Sequence, residues 1–163
     1  MTQFVYDGTY IGLLTGVFEI YERKCKEASI INRDKMQSLV FTENVDVYSD
    51  HEKASRVLKG LQKKVSPQSL SNLYCCYLSE LPGIENSILQ FIQYVFSSSQ
   101  NIESDYGNQY VLEIAKVARR VGREKHRFEA FVRFESIGDT LFYAPIDPDY
   151  NVLPLIIPHF KSR

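Results

Sequence analysis

The chain has 163 residues, of which 44% are hydrophobic, and its 19 basic and 20 acidic side chains give a formal net charge of −1. This is ordinary globular composition, and the length suffices for one domain with a sizeable core. The longest continuous apolar stretches are only a few residues, far short of the ~20 needed to cross a bilayer, so we expect no membrane-spanning segment.

The N-terminal half predicts two short strands, each followed by a helix. Residues 4 to 6 are apolar and stop at an Asp-Gly pair, after which apolar residues recur with helical spacing. In residues 24 to 42 the apolar residues show no regular helical or strand spacing. Residues 45 to 48 predict a second strand, and Asp50 is the expected N-cap of a helix over about 51 to 64, which also carries a second basic surface.

The middle of the chain predicts three further helices. Ser66-Pro67 is a typical helix start, and Leu81-Pro82-Gly83 ends that helix. Residues 84 to 96 are apolar on more than one side, which indicates a central helix. Residues 97 to 109 are polar and rich in loop formers, so we expect the longest exposed connection there, leading into a basic helix.

After His126 the hydrophobic period changes. Residues 128 to 134 alternate apolar and polar, and Gly138-Asp139 separates them from the run 141 to 146, which predicts a β-hairpin. Four of the six prolines lie in the tail, which argues against a long regular helix there. We therefore predict a single α+β domain over 1–163: several helices on a small, mostly antiparallel sheet built from the N-terminal strand, the 45 to 48 segment and the hairpin, followed by a Pro-rich tail.

Positive charge is concentrated in one segment of this nearly neutral chain. Between Lys116 and Arg133 there are seven basic and two acidic residues, whereas the other 145 residues carry 12 basic and 18 acidic ones. Attraction to phosphate depends on where charge lies, so the segment indicates a localised polyanion-binding face.

The spacing of the basic residues places most of them on one side of the predicted helix. The candidate nucleic-acid-binding residues are Lys116, Arg119, Arg120, Arg123, Arg127 and Arg133, of which the first five repeat every three or four positions. The apolar residues between them form a separate stripe that would face a core. Two interpretations remain: a solvated surface paired with acids of the same chain, or a surface that binds phosphate.

The cysteines and histidines favour neither a disulfide framework nor a metal centre. Three cysteines form an odd set, and the chain begins without a basic and apolar leader, so we expect a reduced, cytoplasmic protein. His51, His126 and His159 are far apart, and no CxxC or HExxH motif occurs. We expect no metal and no cofactor.

A weaker constellation is compatible with acid–base chemistry. Asp149 lies in a short proline-flanked loop, on which His126, His159 and Tyr143 would have to converge. An imidazole beside a carboxylate is the minimum set for general acid–base catalysis. Asp and Asn in such a turn more often bond nearby backbone, so these are weak catalytic candidates.

Four strings carry a resemblance to a known family over nearly the whole chain, in the family's order: FVYDGTYIGLLTGVFEIYERK, LYCCYLSELPGIE, VARRVGREKHRFEAFVRF and YAPIDPDYNVLPLIIPHF. The chain resembles a bacterial family labelled "probable DNA metabolism protein". Its members are encoded beside a radical-SAM protein of DNA modification or repair, and in some genomes are fused to a uracil-DNA-glycosylase-family domain. The resemblance implies a role beside nucleic-acid chemistry and assigns no catalytic residues.

The sequence lacks the motifs for the reactions of these neighbouring and fused proteins. Cys25, Cys75 and Cys76 lack the CxxxCxxC spacing that holds a radical-SAM iron–sulfur cluster, and glycosylase motifs of the uracil type are also not evident. We therefore expect an accessory protein of DNA repair or nucleic-acid modification that binds nucleic acid through the basic helix and cooperates with the radical-SAM partner. The alternatives are an enzyme of nucleic acid or nucleotides using the His/Asp set, and a structural adaptor for the partner protein.

Overall fold

The computed structural model describes residues 1–36 and 42–162. The elements in chain order are β1 (Thr2–Tyr6), α1 (Tyr10–Glu22), β2 (Ala28–Asn32), a 3-10 turn (Arg33–Lys35), β3 (Glu43–Asp46), α2 (His51–Gln62), α3 (Pro67–Ser79), α4 (Ile84–Ser97), α5 (Gln109–Phe131), β4 (Glu135–Ile137), β5 (Leu141–Tyr143) and α6 (Leu153–Lys161). The predicted α+β class is confirmed.

The sheet arrangement differs from the prediction of one mostly antiparallel sheet. β1 lies between β2 and β3 and pairs in parallel with both, with Phe4 opposite Ile30 on one side and Val45 on the other. The hairpin of β4 and β5 is antiparallel but forms a separate two-stranded sheet. α1 returns the chain to the end of the sheet at which β1 begins, and β2 therefore runs parallel to β1.

The strand β2 lies in the interval 24 to 42, where the sequence shows no clean period; residues 37 to 41 of that interval lie outside the described residues. Only Ile30 of this strand is fully buried, so no alternating pattern marks it. The strand prediction over 45 to 48 is shifted slightly, since β3 ends at Asp46.

The predicted helix starts are confirmed. Asp50 accepts hydrogen bonds from the backbone N–H groups of Glu52 and Lys53 and so caps α2. Ser66 caps α3 through the N–H of Ser69, with Pro67 in the first turn. Both caps satisfy donors that the first turn of a helix leaves unpaired.

One hydrophobic cluster runs from β1 to α6. α4 is buried on several sides, as its sequence predicts. Beside it, α3 packs on α5, and the buried thiol of Cys76 donates a hydrogen bond to the carbonyl of Ile114 at 3.3 Å. Among the helices that the structure describes, none has both the length and the apolar content needed to cross a bilayer.

The boundary between α5 and the hairpin was predicted wrongly. The alternation from residue 128 onward suggested a strand, but α5 continues to Phe131, where the N–H of Val132 still bonds the carbonyl of Phe128 at 3.0 Å. The proline-rich tail also forms a short helix, α6, with Pro154 in the first turn, where no N–H is needed. Its Ile156 is buried in the main core.

Candidate nucleic-acid interface

α5 positions the basic residues because its opposite side is fixed in the core. Asn108 caps the helix by accepting from the N–H groups of Tyr110 and Val111. Five apolar residues of the helix are buried: Val111, Ile114, Val117, Ala118 and Val121. These contacts fix the rotation of α5, so the remaining face is held toward solvent.

The exposed face carries the predicted cations, named here the basic stripe: Lys116, Arg119, Arg120, Arg123 and Arg127. Within residues 1–36 and 42–162, the first four have no carboxylate oxygen within 4.0 Å. Arg127 is paired with Glu124 at 3.0 Å. Arg133 lies just beyond the helix and is also exposed. The interpretation that acids of the same chain neutralise this face therefore holds for Arg127 and not for the other four.

The second basic surface, on α2, is different. Lys53 contacts the carboxylates of Glu19 and Glu22, and the guanidinium of Arg56 lies over the ring of Phe18 at 5.0 Å. These two cations of α2 are thus engaged by α1. Lys53 and Arg56 therefore differ from the first four residues of the basic stripe, which have no such partner within the described residues.

Glu124 lies within the basic segment but faces inward. It is only 5% exposed, and its carboxylate accepts the N–H groups of Asp149 and Tyr150 at 2.7 and 2.8 Å. It also accepts from Arg127 at 3.0 Å. A buried carboxylate with three donors is well compensated, and it fastens the loop before α6 against the basic stripe.

A small pocket results where that loop meets α5. It has a volume of about 260 Å³ and is lined by Arg120, Arg123, Glu124, Arg127, Asp149 and Tyr150; we call it the arginine pocket. Three guanidinium groups at one opening can form bidentate hydrogen bonds to phosphate oxygens. Glu124 is turned toward backbone donors and Arg127, so much of its acceptor capacity is already used.

The acid–base candidates do not share this pocket. Asp149 lines it, but neither His126 nor His159 does. His126 is exposed, with Nδ1 at 3.5 Å from a carboxylate oxygen of Glu129. On α6, Nε2 of His159 is buried without a hydrogen-bond partner in the described part of the chain. Tyr143 lies on the exposed hairpin.

A second opening adjoins the arginine pocket at the end of α5. This groove of about 570 Å³ is lined by Arg127, Phe128, Phe131, Val132, Arg133, Glu135, Pro145 and Ile146; we call it the aromatic groove. It shares Arg127 with the arginine pocket, and its Phe131 is 73% exposed. Charged and aromatic side chains therefore meet at one continuous surface.

Three residues of this surface, Glu124, Tyr150 and Phe131, are absent from the candidates predicted from the sequence. In the sequence, Glu124 is only one acidic residue within a basic segment. Its contact with the loop at Asp149 and Tyr150 forms only when the chain folds. Tyr150 lies 26 positions away from Glu124. Phe131 could have been found, because it follows Arg127 and Arg123 by four and eight residues, which is helical spacing.

Comparison with known proteins bears on the C-terminal half of the chain. Residues 82–163 match the model of a family described as a domain of unknown function, DUF4130. Curated proteins gave no match. Solved structures gave none either. The matched residues include all of α4 to α6, and so the whole candidate interface. Because the family model covers half of the sequence, the chain belongs to the DUF4130 family.

Proposed function

We propose that this protein is an accessory factor of DNA repair or nucleic-acid modification, and that the basic stripe binds nucleic-acid phosphates. The observation that carries the proposal is the exposure of Lys116, Arg119, Arg120 and Arg123 on one helix face without acidic partners in the described residues. Phosphate binding by such groups releases condensed counterions, which is the main source of sequence-independent affinity.

The energetics of α5 support a ligand of negative charge. Like charges three or four residues apart on a helix repel, at a cost of about 0.2–0.5 kcal/mol for each pair. Several such pairs occur along the stripe, among them Arg119 with Arg123 and Arg123 with Arg127. A polyphosphate backbone would relieve this repulsion along the whole stripe, whereas a single carboxylate would relieve it at one position.

DNA and the partner protein enter the proposal through the family resemblance of the sequence. It implies a neighbouring radical-SAM protein of DNA modification or repair and, in some genomes, a uracil-DNA-glycosylase-family domain. Cys25, Cys75 and Cys76 lack the cluster-binding spacing, which supports assigning the radical step to the partner. This chain would then hold the nucleic acid while the partner acts.

The test is the salt dependence of binding to labelled DNA, measured by fluorescence anisotropy. If the stripe neutralises about four phosphates, log affinity against log salt has a slope of roughly −3 to −4. The double variant Arg120→Gln/Arg123→Gln should weaken binding at low salt and make the slope less steep by about 2.

The matched control removes two cations elsewhere. Lys59→Gln/Lys63→Gln changes the net charge equally, at two exposed lysines in α2 and directly after its last residue. It should leave the slope nearly unchanged, because those groups lie outside the stripe. Affinity that does not vary with salt, or equal losses in both double variants, would contradict the proposal. Co-purification with the radical-SAM partner that resists nuclease and requires Arg120 and Arg123 would indicate the adaptor instead.

A further inference from the structure

We infer that the aromatic groove binds unpaired bases, so that the nucleic acid held by the basic stripe is single-stranded where it passes the end of α5. This inference rests on the proposed function and specifies its substrate class. It depends on the position of Phe131, on the chemistry of the groove and on the exposed hairpin beside it.

Phe131 continues the basic stripe. It lies one helical turn after Arg127 and two turns after Arg123, so its ring projects from the same side of α5 as the guanidinium groups. From Lys116 to Phe131 the helix rises about 22 Å, a length of about six nucleotides at 3.4 Å each. A strand that follows the stripe therefore reaches this ring.

The groove offers both groups that an unpaired nucleotide requires. Phe131, Pro145 and Ile146 supply apolar surface for the face of a base. Arg133 lies at the same groove and can contact the phosphates, as can Arg127, which also pairs with Glu124. Glu135 is the one carboxylate among the residues that line the groove. Guanidinium donors beside an apolar groove that continues the basic stripe match a nucleotide strand better than the apolar segment of a protein.

The hairpin beside the groove is also rich in exposed apolar side chains. β5 consists of three apolar residues, and each is more than half exposed: Leu141, Phe142 and Tyr143. Two strands of three residues are marginal by themselves, and exposed apolar clusters mark interaction sites. The hairpin can thus extend the stacking surface beyond Phe131.

A duplex would not use this surface. Its bases are already stacked and paired, so an exposed phenylalanine gains little from them, whereas unpaired bases gain from stacking whatever their sequence. The basic stripe contacts phosphates in either form. The geometry therefore predicts tighter binding of single-stranded DNA than of the same sequence as a duplex.

The experiment compares both DNA forms by anisotropy at fixed salt. Phe131→Ala should weaken single-strand binding about 10-fold and leave duplex binding nearly unchanged. Tyr106→Ala is the matched control, because that ring is also exposed, at 56%, but lies in the loop before α5. It should affect neither form. Arg120→Gln/Arg123→Gln should weaken both forms.

A second measurement reports stacking directly. The chain has no tryptophan, so Phe131→Trp introduces one tryptophan at the groove, whose emission can be excited selectively beyond the absorption of the tyrosines. Addition of single-stranded DNA should quench it, and addition of duplex should quench it much less, because stacking on a base requires an unpaired base. Absence of quenching by bound single strand would overturn the inference.

The outcomes separate the two proposals. In one outcome, Phe131→Ala binds both DNA forms as tightly as the unmodified protein does, with the same salt dependence. That result would contradict base binding in the aromatic groove and would support phosphate binding by the basic stripe. If the protein binds neither DNA form, or if Arg120→Gln/Arg123→Gln does not weaken binding, both proposals are wrong. A fall in self-association or in partner binding with Phe131→Ala, at unchanged single-strand affinity, would overturn the inference in favour of a protein occupant.

Discussion

At the scale of single residues, Glu103 shows how a loop carboxylate is held. Its oxygens accept from the N–H and hydroxyl of Ser66, from the hydroxyl of Ser69 and from the amide of Asn101. Burial alone would raise the pKa of this carboxyl, but the hydrogen bonds lower it from 4.5 to about 2. The charged form thus ties the loop after α4 to the start of α3.

The pH dependence of stability follows from this lowered pKa. Because the folded pKa lies below the unfolded one, the stabilisation is complete above pH 4.5 and is lost as the pH falls toward 2. Glu103→Gln should therefore reduce the free energy of unfolding by about 1–2 kcal/mol at pH 7, allowing for solvent screening.

Urea denaturation at several pH values measures this effect. The difference between Glu103→Gln and the unmodified protein should shrink as the pH falls from 4.5 toward 2. A similar substitution at Glu52, which is exposed in the first turn of α2, is the control and should show a smaller difference. A constant difference for Glu103→Gln across the pH range would be inconsistent with the charge-based account.

The three cysteines should differ sharply in reactivity. Burial raises the pKa of the Cys76 thiol strongly, with an added effect from Cys75, and the side chain has no exposed surface. Since the thiolate is the reactive form, Cys76 should be labelled by a thiol reagent only after denaturation. Cys25 is partly exposed and should be labelled first.

Labelling followed by mass spectrometry of the peptides checks this order. Cys25→Ser should remove the fast phase of native labelling. Fast native labelling of Cys76 would show that the packing of α3 on α5 opens readily, contrary to the buried contact with Ile114.

At the scale of elements, two glycines in helices predict opposite effects of one substitution. A Cβ at Gly122 in α5 would meet no atom within 4 Å, whereas one at Gly12 in α1 would collide with the carboxylate of Asp7. Gly122→Ala should stabilise the protein by about 0.5–1 kcal/mol, because alanine loses less backbone entropy in a helix. Gly12→Ala should destabilise it by about 1–3 kcal/mol.

Thermal unfolding measures both substitutions. For a chain of this size, Gly122→Ala should raise the Tm by about 1–4 °C. It leaves every cation of the basic stripe in place, so affinity for DNA should not change. A fall in Tm would mean that this position of α5 is more closely packed than the open space beside it indicates.

The end of α5 shows how two local patterns compete. The alternation from residue 128 to 134 suits a strand, but the same residues continue the helical contacts of α5, and Phe128 packs against the core. The helix extends to Phe131 because burial on an established helix outweighs a short alternating pattern that has no sheet to join. This extension places Phe131 on the basic stripe.

At the scale of the whole molecule, the asymmetry of charge is the organising feature. Lys53 and Arg56 of α2 are engaged by side chains of α1, while most of the basic stripe faces solvent. The net charge of −1 conceals this, because it sums over both surfaces. Long-range attraction responds to the local charge, so the face formed by α5 is the part of the described surface that we expect to meet a polyanion first.

Features that depend on neighbours within one helix could be predicted from local sequence. The stripe repeats every three or four residues, and Asp50 and Ser66 cap the helices that follow them, so local spacing and capping suffice to predict them. The α+β class follows likewise from the periods of successive segments.

Tertiary structure alone decided the features that join distant segments. Three features depend on contacts across many residues: the parallel pairing of β1 with two strands, the fastening of the Asp149 loop by Glu124, and the absence of His126 from the pocket that Asp149 lines. Such contacts are set by how the helices and strands pack together, and neither propensity nor periodicity encodes which elements become neighbours.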